Sequence, residues 1–189
     1  MRTACLALLL LTTCGEDEPP LVEMMPISDF TLIDQNGDEF ESRELRGKVW
    51  IADLIFTSCP SICPVMSTKM ANLSRRITRD DVRFVSISVD PEVDTPEVMR
   101  HYASRYGADP DRWIFLTGSV DDVRRVIGRS FRLPMGDRFE MDDGTRDILH
   151  TGRFLLIDRR GTMRGLYDTD IAGIEHLEHD IERLLAEPG

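Results

Sequence analysis

The sequence contains few cysteines, and their positions exclude a protein held together by a network of disulfide bonds. Only four occur in 189 residues, and two of them, Cys5 and Cys14, lie near the N-terminus. The other two, Cys59 and Cys63, are four residues apart, and a single disulfide between such close residues cannot stabilise a domain of this size. The chain is long enough to bury a hydrophobic core, so we expect one globular domain with a short appendage.

Positive charge is also scarce in this chain. Lys and Arg number 23 against 34 Asp and Glu, which gives a formal net charge of −11. Nucleic acids and anionic lipid surfaces both require a basic face, so the charge argues against either as a partner. Acidic side chains on a surface are most simply solvated and keep the protein soluble, and they would also suit a basic or cationic partner.

The apolar run over residues 4–11 is too short to span a bilayer as a mature helix. It follows Met1-Arg2 and ends in Leu11-Thr12-Thr13-Cys14, which resembles a lipobox. We therefore expect residues 1–13 to be a lipoprotein-type signal peptide and Cys14 to be lipidated, although Thr13 replaces the usual Gly, Ala or Ser. An ordinary signal peptide with a chance cysteine is the alternative. Both predict an extracytoplasmic (periplasmic-side) domain, anchored to the membrane in the first case, where cysteine pairs can oxidise.

The segment after this leader, residues 14–26, is predicted to be an acidic tether. It carries Glu16, Asp17, Glu18, Pro19 and Pro20, and it has too little apolar content to fold alone. The domain is expected to occupy residues 27–189, with no internal repeat and no second linker.

Strand and helix patterns alternate along the domain and predict an α/β protein. Residues 49–56 form a nearly continuous apolar run typical of a central strand. Asn36-Gly37 indicates a type I′ turn in an N-terminal β-hairpin. The remaining patterns predict strands at 83–89 and 114–116, helices at 66–77, 95–106, 119–127 and 173–186, an irregular loop at 133–147, and a hairpin at 153–167. This order indicates a thioredoxin-like fold with an added N-terminal β-hairpin and a loop insertion before His150.

The sequence Cys59-Pro60-Ser61-Ile62-Cys63-Pro64 lies between the central strand and the first helix. Pro64 suits the first position of that helix, which would make Cys63 its N-cap. Amide groups and the helix dipole there favour negative charge, so both thiols are expected to have lowered pKa values. The pair can bind Cu(I), a soft ion, or oxidise to a disulfide, which could also be purely structural.

A histidine far along the chain, His150, follows the irregular loop and precedes a strand. A lone histidine is more often a surface or hydrogen-bonded residue. In a thioredoxin-like fold, however, the chain passes the cysteine loop at this point, so an imidazole could complete a site for Cu(I) and, with another ligand, for Cu(II). Asp90 ends a strand at the same edge and is predicted either to support the site or to begin a turn before Pro91.

Other sulfur and imidazole side chains are weaker candidates for metal binding. Met66 is expected in the core, whereas Met135 and Met141 flank the loop near His150 and stay open as copper ligands. His176 and His179 lie among acidic residues of the last helix, which is most simply a solvated face.

Four sequence blocks together resemble the SCO/SenC family of copper-binding proteins, which assist the assembly of cytochrome c oxidase. In order they are 56–64 (FTSCPSICP), 86–96 (SISVDPEVDTP), 113–118 (WIFLTG) and 150–161, which contains His150 and LLID. The resemblance covers residues 28–185 and implies that Cys59, Cys63 and His150 bind copper. The leader differs from the membrane-spanning anchor common in the family, and Leu149 stands where some relatives have an acidic residue.

The resemblance implies a copper metallochaperone, not an enzyme in the turnover sense. The implied partner is the copper-bearing subunit of cytochrome c oxidase, and other copper chaperones or thioredoxin-like reductants are further candidates. The alternatives are a thiol–disulfide oxidoreductase and, less favoured, a peroxiredoxin-like peroxidase. The peroxidase requires Thr three residues before the cysteine, but Thr57 is two before Cys59, and the reductase requires a CxxC spacing and a proline that His150-Thr151 does not offer.

Overall fold

The computed structural model describes residues 18–140 and 146–187, which form an eight-stranded mixed sheet covered by helices and a separate two-stranded sheet. The strands are β1 (Met25–Pro26), β2 (Thr31–Asp34), β3 (Glu39–Glu41), β4 (Val49–Ile55), β5 (Val82–Ser88), β6 (Trp113–Thr117), β7 (Arg138–Glu140), β8 (Arg146–Ile148), β9 (Phe154–Ile157) and β10 (Thr162–Tyr167). The helices are α1 (Ile62–Arg76), α2 (Pro96–Arg105), α3 (Val120–Arg125) and α4 (Ile171–Ala186), with a 3₁₀ turn at Ser42–Leu45 and a π turn at Val126–Ser130. Within these described ranges, no helix is both long and apolar enough to cross a membrane.

The central strand β4 is buried along its whole length, as its continuous apolar pattern predicts. It pairs in parallel with β5 and antiparallel with β9, and the full sheet order is β1-β10-β9-β4-β5-β6-β2-β3. Phe131 packs against Trp50 on one face of the sheet. On the other face, α1 and α2 meet through the hydroxyl groups of Ser67 and Tyr102, 2.9 Å apart. Helices on both faces and parallel neighbours at the centre give the predicted thioredoxin-like arrangement.

The N-terminal hairpin is present as β2 and β3, but its turn is not the predicted type I′. That turn requires a positive φ at both central residues, whereas only Gly37 has one, at 92°. The Asp34 carboxylate accepts hydrogen bonds from the amides of Asn36 and Asp38, at 2.8 and 3.0 Å. This side-chain contact stabilises a longer loop and replaces the two-residue turn that Asn36-Gly37 indicated.

Residues 18–26, which the sequence placed in the tether, lie against the domain, and we call them the strap. Its last residues form β1, which pairs with β10. The buried Arg164 side chain donates to the carbonyl oxygens of Leu21 and Val22. These partners lie about 140 residues away, so local composition could not reveal them. The strap leaves the domain beside the C-terminal half of α4, where Arg183 contacts Glu18.

The polar segment at 133–147, predicted to be irregular, contains the paired strands β7 and β8. Its residues 141–145, which include Met141, lie outside the described residues. Strand β8 ends at Ile148, two residues before His150, so the inserted segment leads directly to the histidine.

Candidate metal and redox site

The two cysteines lie at the start of α1, at the edge of the sheet where β4 ends. The helix begins at Ile62 with Ser61 as its N-cap, so the prediction that Cys63 is the N-cap was wrong. The Ser61 side chain makes no capping hydrogen bond, and instead the Cys63 amide donates to the Cys59 sulfur over 3.4 Å. Pro64 then occupies the third helical position, where a missing N–H leaves no intrahelical bond unmade.

The thiols of Cys59 and Cys63 differ sharply in acidity. The hydrogen bond from the Cys63 thiol, aided by the amides of Cys63 and Ser61 and opposed by burial, lowers the pKa of Cys59 from 9.0 to about 5. The contact with Cys59, followed by burial, raises the pKa of the Cys63 thiol. The prediction of two lowered pKa values therefore holds for Cys59 and is wrong for Cys63, because adjacent thiols cannot both ionise readily.

The imidazole of His150 is oriented with one nitrogen toward the cysteines. Its Nδ1 lies 2.6 Å from the carbonyl oxygen of Ile148, which can only accept, so Nδ1 carries a proton. In the neutral ring the other nitrogen, Nε2, then has a free lone pair, and it lies 3.8 Å from the Cys63 sulfur. The ring packs edge-on against Phe56, with centroids 5.6 Å apart. A backbone carbonyl that fixes the tautomer is the usual support of a metal-binding histidine.

The loop that carries Cys59 is held by Asp94, a residue that the sequence analysis did not single out. The fully buried carboxylate accepts from the Thr57 amide at 3.1 Å, from the Thr57 hydroxyl at 2.5 Å and from the Ser88 hydroxyl at 2.6 Å. Burial raises the pKa of Asp94 in spite of these bonds. The available signal was an aspartate shortly after a strand, followed by the Thr95-Pro96 helix start.

Asp90 forms the turn that places Asp94. Its carbonyl oxygen accepts from the amides of Val93 and Asp94, at 3.0 and 2.9 Å, and its own amide donates to the Ser88 hydroxyl at 3.0 Å. Its backbone thus has the turn geometry that was one of the two predictions for Asp90, and its role as an outer support of the site stays a prediction.

A second unpredicted acid, Asp53, lies within β4 on the sheet face that α1 and α2 cover. One carboxylate oxygen accepts from the Ser86 hydroxyl at 2.6 Å, and Ser86 in turn accepts from the Trp113 indole at 2.9 Å. The other oxygen, Oδ2, is buried and has no hydrogen-bond partner among the described residues. Burial raises the pKa of Asp53 from 3.8 to about 7. The apolar strand pattern concealed this residue.

The weaker sequence candidates lie in the core, on the surface or outside the described residues. Met66 is buried in the core, and Met135 is partly buried against it. His176 is exposed on α4. His179 Nε2 lies 3.8 Å from Glu18 Oε1, and its Nδ1 lies 3.6 Å from Asp180 Oδ1. Residues 1–13 and Cys14 lie outside the described residues. A surface cavity of about 460 Å³ lies elsewhere, between the β2–β3 hairpin and α3.

The three predicted donors are brought together as neighbours. Both cysteines are free thiols. A metal ion with bond lengths of about 2.3 Å to sulfur and about 2.0 Å to nitrogen, as for zinc, can bridge the 3.8 Å between Cys63 Sγ and His150 Nε2. As they stand, no three His, Cys, Asp or Glu side chains in residues 18–140 and 146–187 enclose an ion position. Binding would therefore draw Cys59, Cys63 and His150 closer together.

Comparison with known proteins gives a consistent result. Residues 23–186 match the family model described as SCO1/SenC. A SCO1/SenC family lipoprotein from Bacillus anthracis has a similar structure, with 32% identity, coverage of 85% of this chain and 95% of that one, and a TM-score of 0.74. ScoI from Bradyrhizobium japonicum, solved with copper bound, has 30% identity, coverage of 84% and 99%, and a TM-score of 0.72.

A third similar structure is that of BsSco, described as a member of the Sco family of cytochrome c oxidase assembly proteins in which a disulfide switch was identified. It has 30% identity, coverage of 85% of this chain and 93% of that one, and a TM-score of 0.70.

Proposed function

The chain belongs to the SCO1/SenC family, and we propose that it is a copper metallochaperone for cytochrome c oxidase. In this proposal Cys59, Cys63 and His150 bind copper, and the protein passes the ion to the copper-bearing subunit of the oxidase. Support comes from ScoI, solved with copper bound, and from BsSco, a member of a family of cytochrome c oxidase assembly proteins.

The orientation of His150 carries the proposal. Its Nδ1–H is held by the Ile148 carbonyl, so Nε2 presents a lone pair to the Cys63 sulfur at 3.8 Å. Two soft sulfur ligands and one imidazole suit Cu(I), and a further ligand would accommodate Cu(II). The low pKa of Cys59 means that this ligand is already a thiolate near neutral pH, so a metal ion displaces a proton mainly from Cys63.

A thiol–disulfide oxidoreductase is the second candidate, and the acidity difference between the two thiols favours it. The Cys59 thiolate would attack a partner disulfide, forming a mixed disulfide and releasing one partner thiolate. After losing its proton, Cys63 would then attack Cys59, so that the partner dithiol is reduced and this chain becomes a disulfide. The disulfide removes both sulfur ligands, so we expect copper to load only onto the reduced form.

We further propose that the mature protein begins at a lipidated Cys14 and is held on the extracytoplasmic side of a membrane. The proposal rests on the lipobox-like sequence and on the similarity to the Bacillus anthracis lipoprotein. Mass spectrometry of the native protein should find a chain that starts at Cys14 with added acyl mass. An unmodified mature chain with another first residue would refute the anchor.

A deletion strain grown at limiting copper tests the function. We expect less assembled cytochrome c oxidase, restored in part by added copper, because a site that loads slowly still fills when free copper is plentiful. A strain carrying His150→Ala should resemble the deletion. His176→Ala is the matched control, since this histidine is exposed on α4 and should leave oxidase activity normal.

The same strains separate the alternatives. A reductase predicts rescue of the deletion by a small thiol and not by copper, together with full oxidase activity in the His150→Ala strain. A peroxidase predicts normal oxidase activity and sensitivity to peroxide.

A further inference from the structure

Exposed apolar side chains are concentrated at the edge of the sheet that holds the cysteines. Among the described residues, eight large hydrophobic side chains are exposed: Val22, Met24, Ile62, Val65, Val93, Phe139, Leu149 and Ile171. The first two lie in the strap beside the start of β10, at the opposite end of the domain. The other six lie in or next to the elements that carry the site.

Four of these residues adjoin the site residues along the chain or on the same helix face, and we call them the rim: Ile62, Val65, Val93 and Leu149. Ile62 precedes Cys63 and packs so closely on Gly152 that a Cβ there would lie 2.7 Å from its Cδ1. Val65 shares a face of α1 with Ile62, three residues on. Leu149 precedes His150, and Val93 lies in the turn that positions Asp94.

The sulfur atoms themselves are nearly inaccessible. Cys63 is fully buried and Cys59 is 6% exposed, so an acceptor must lie directly against the rim to reach either of them. Direct transfer of Cu(I) needs no electron: each copper–sulfur bond broken here is replaced by one to an acceptor thiolate. Cys63 takes up one proton released by an acceptor thiol, whereas Cys59 leaves the copper as a thiolate, so any further proton from the acceptor passes to the solvent.

We propose that the rim is the docking surface for the copper acceptor, a protein with an apolar contact surface around a thiol-bearing loop and with basic residues at its margin. This inference rests on the proposed function and adds the surface through which it acts. The basic margin follows from the formal charge of −11 and from the exposed carboxylates of Glu92 and Glu97 beside the rim. A second copy of this chain carries the same charge and is disfavoured for that reason.

Paired substitutions provide a matched test. Val65→Gln/Leu149→Gln alters rim residues that are 49% and 69% exposed, so neither change opens the core. Val22→Gln/Met24→Gln alters strap residues of similar exposure, 71% and 49%, at the far end. Each variant is loaded with Cu(I) and mixed with the metal-free copper-binding domain of cytochrome c oxidase subunit II, and separately with a small-molecule Cu(I) chelator.

We expect the rim variant to load copper normally, to release it normally to the chelator, and to transfer it to the protein domain at least tenfold more slowly. A tenfold change corresponds to about 1.4 kcal/mol, which here is divided between two apolar contact residues replaced by polar ones. The strap variant should match the wild type with both acceptors. Transfer by the wild type should also slow as the salt concentration rises, because opposite charges attract the two proteins.

Equal transfer rates for the two variants would overturn the docking surface, as would a rim variant that is also slow with the chelator. A dimer in sedimentation that only the rim variant abolishes would assign the rim to self-association instead. Failure of the proposed function gives a different result. If the copper-loaded wild type binds the domain through the rim but transfers no copper, the docking surface is supported and copper delivery is refuted. If it neither binds the domain nor transfers copper, both proposals are refuted.

Discussion

The substitution Asp53→Asn should change how stability depends on pH. The carboxyl group is fully buried, one of its oxygens has no hydrogen-bond partner in the described part of the chain, and burial raises its pKa from 3.8 to about 7. Between these two values the folded state binds a proton that the unfolded state has released, so the wild type loses stability as pH rises through this window. Each pKa unit corresponds to 1.36 kcal/mol, which gives a loss of about 4 kcal/mol that is complete above pH 7.

An amide in place of this carboxyl group cannot ionise, so the Asp53→Asn variant lacks the loss. Its free energy of unfolding relative to the wild type should rise by about 3 kcal/mol between pH 4.5 and 7.5, measured by urea denaturation of both reduced proteins. A buried amide adds a constant offset, so the slope against pH is the informative quantity. Asp122→Asn is the control: the Ser119 and Arg125 contacts lower the pKa of this exposed carboxyl below 3.8, so it is ionised in both states over most of this range and its difference from the wild type should stay nearly flat. A difference between Asp53→Asn and the wild type that stays flat across this range would refute the reasoning.

Three further predictions concern the thiols, the cysteine loop and the strap. In the reduced, metal-free protein, thiolate absorbance should rise with a midpoint near pH 5, and alkylation at pH 6 should map to Cys59; alkylation of Cys63 first would contradict the assigned acidities. Asp94→Ala should lower the free energy of unfolding by about 3 kcal/mol and speed hydrogen exchange at the Thr57 amide, with a smaller effect for Asp94→Asn, which keeps one acceptor; equal effects would count against the loop anchor. Arg164→Met breaks the buried ion pair with Asp158, so it should lower the free energy of unfolding by about 3 kcal/mol and expose the strap to proteolysis. Unchanged protection of the strap would show that other contacts hold residues 18–26.

Structural features that depend only on residues close together in the sequence were predictable. The apolar run of β4 indicated a central strand with both faces covered, and the structure confirms it. The helices predicted to start at 95 and 119 are present, with Thr95 and Ser119 as their N-caps, since a helix start depends on only a few neighbouring residues. The proximity of Cys63 and His150 followed once the order of elements indicated the fold.

Features that depend on distant side chains could not be predicted in the same way. The strap is held by Arg164, far along the chain, and the start of α1 by the Cys59 sulfur, which takes the place of the Ser61 cap. Asp53 appeared as one more residue in an apolar strand, because its partner Ser86 becomes a neighbour only through the pairing register of β4 and β5. Asp94 likewise reaches Thr57 only after the turn at Asp90 has formed.

X-ray absorption at the copper edge of the Cu(I)-loaded protein tests the central claim most directly. We predict two sulfur ligands and one nitrogen ligand in the wild type, with the nitrogen lost in His150→Ala and one sulfur lost in Cys63→Ser. His176→Ala should leave the spectrum unchanged. A wild-type spectrum that His150→Ala reproduces in full, or one without two sulfur ligands, would contradict the account of Cys59, Cys63 and His150 as the copper site.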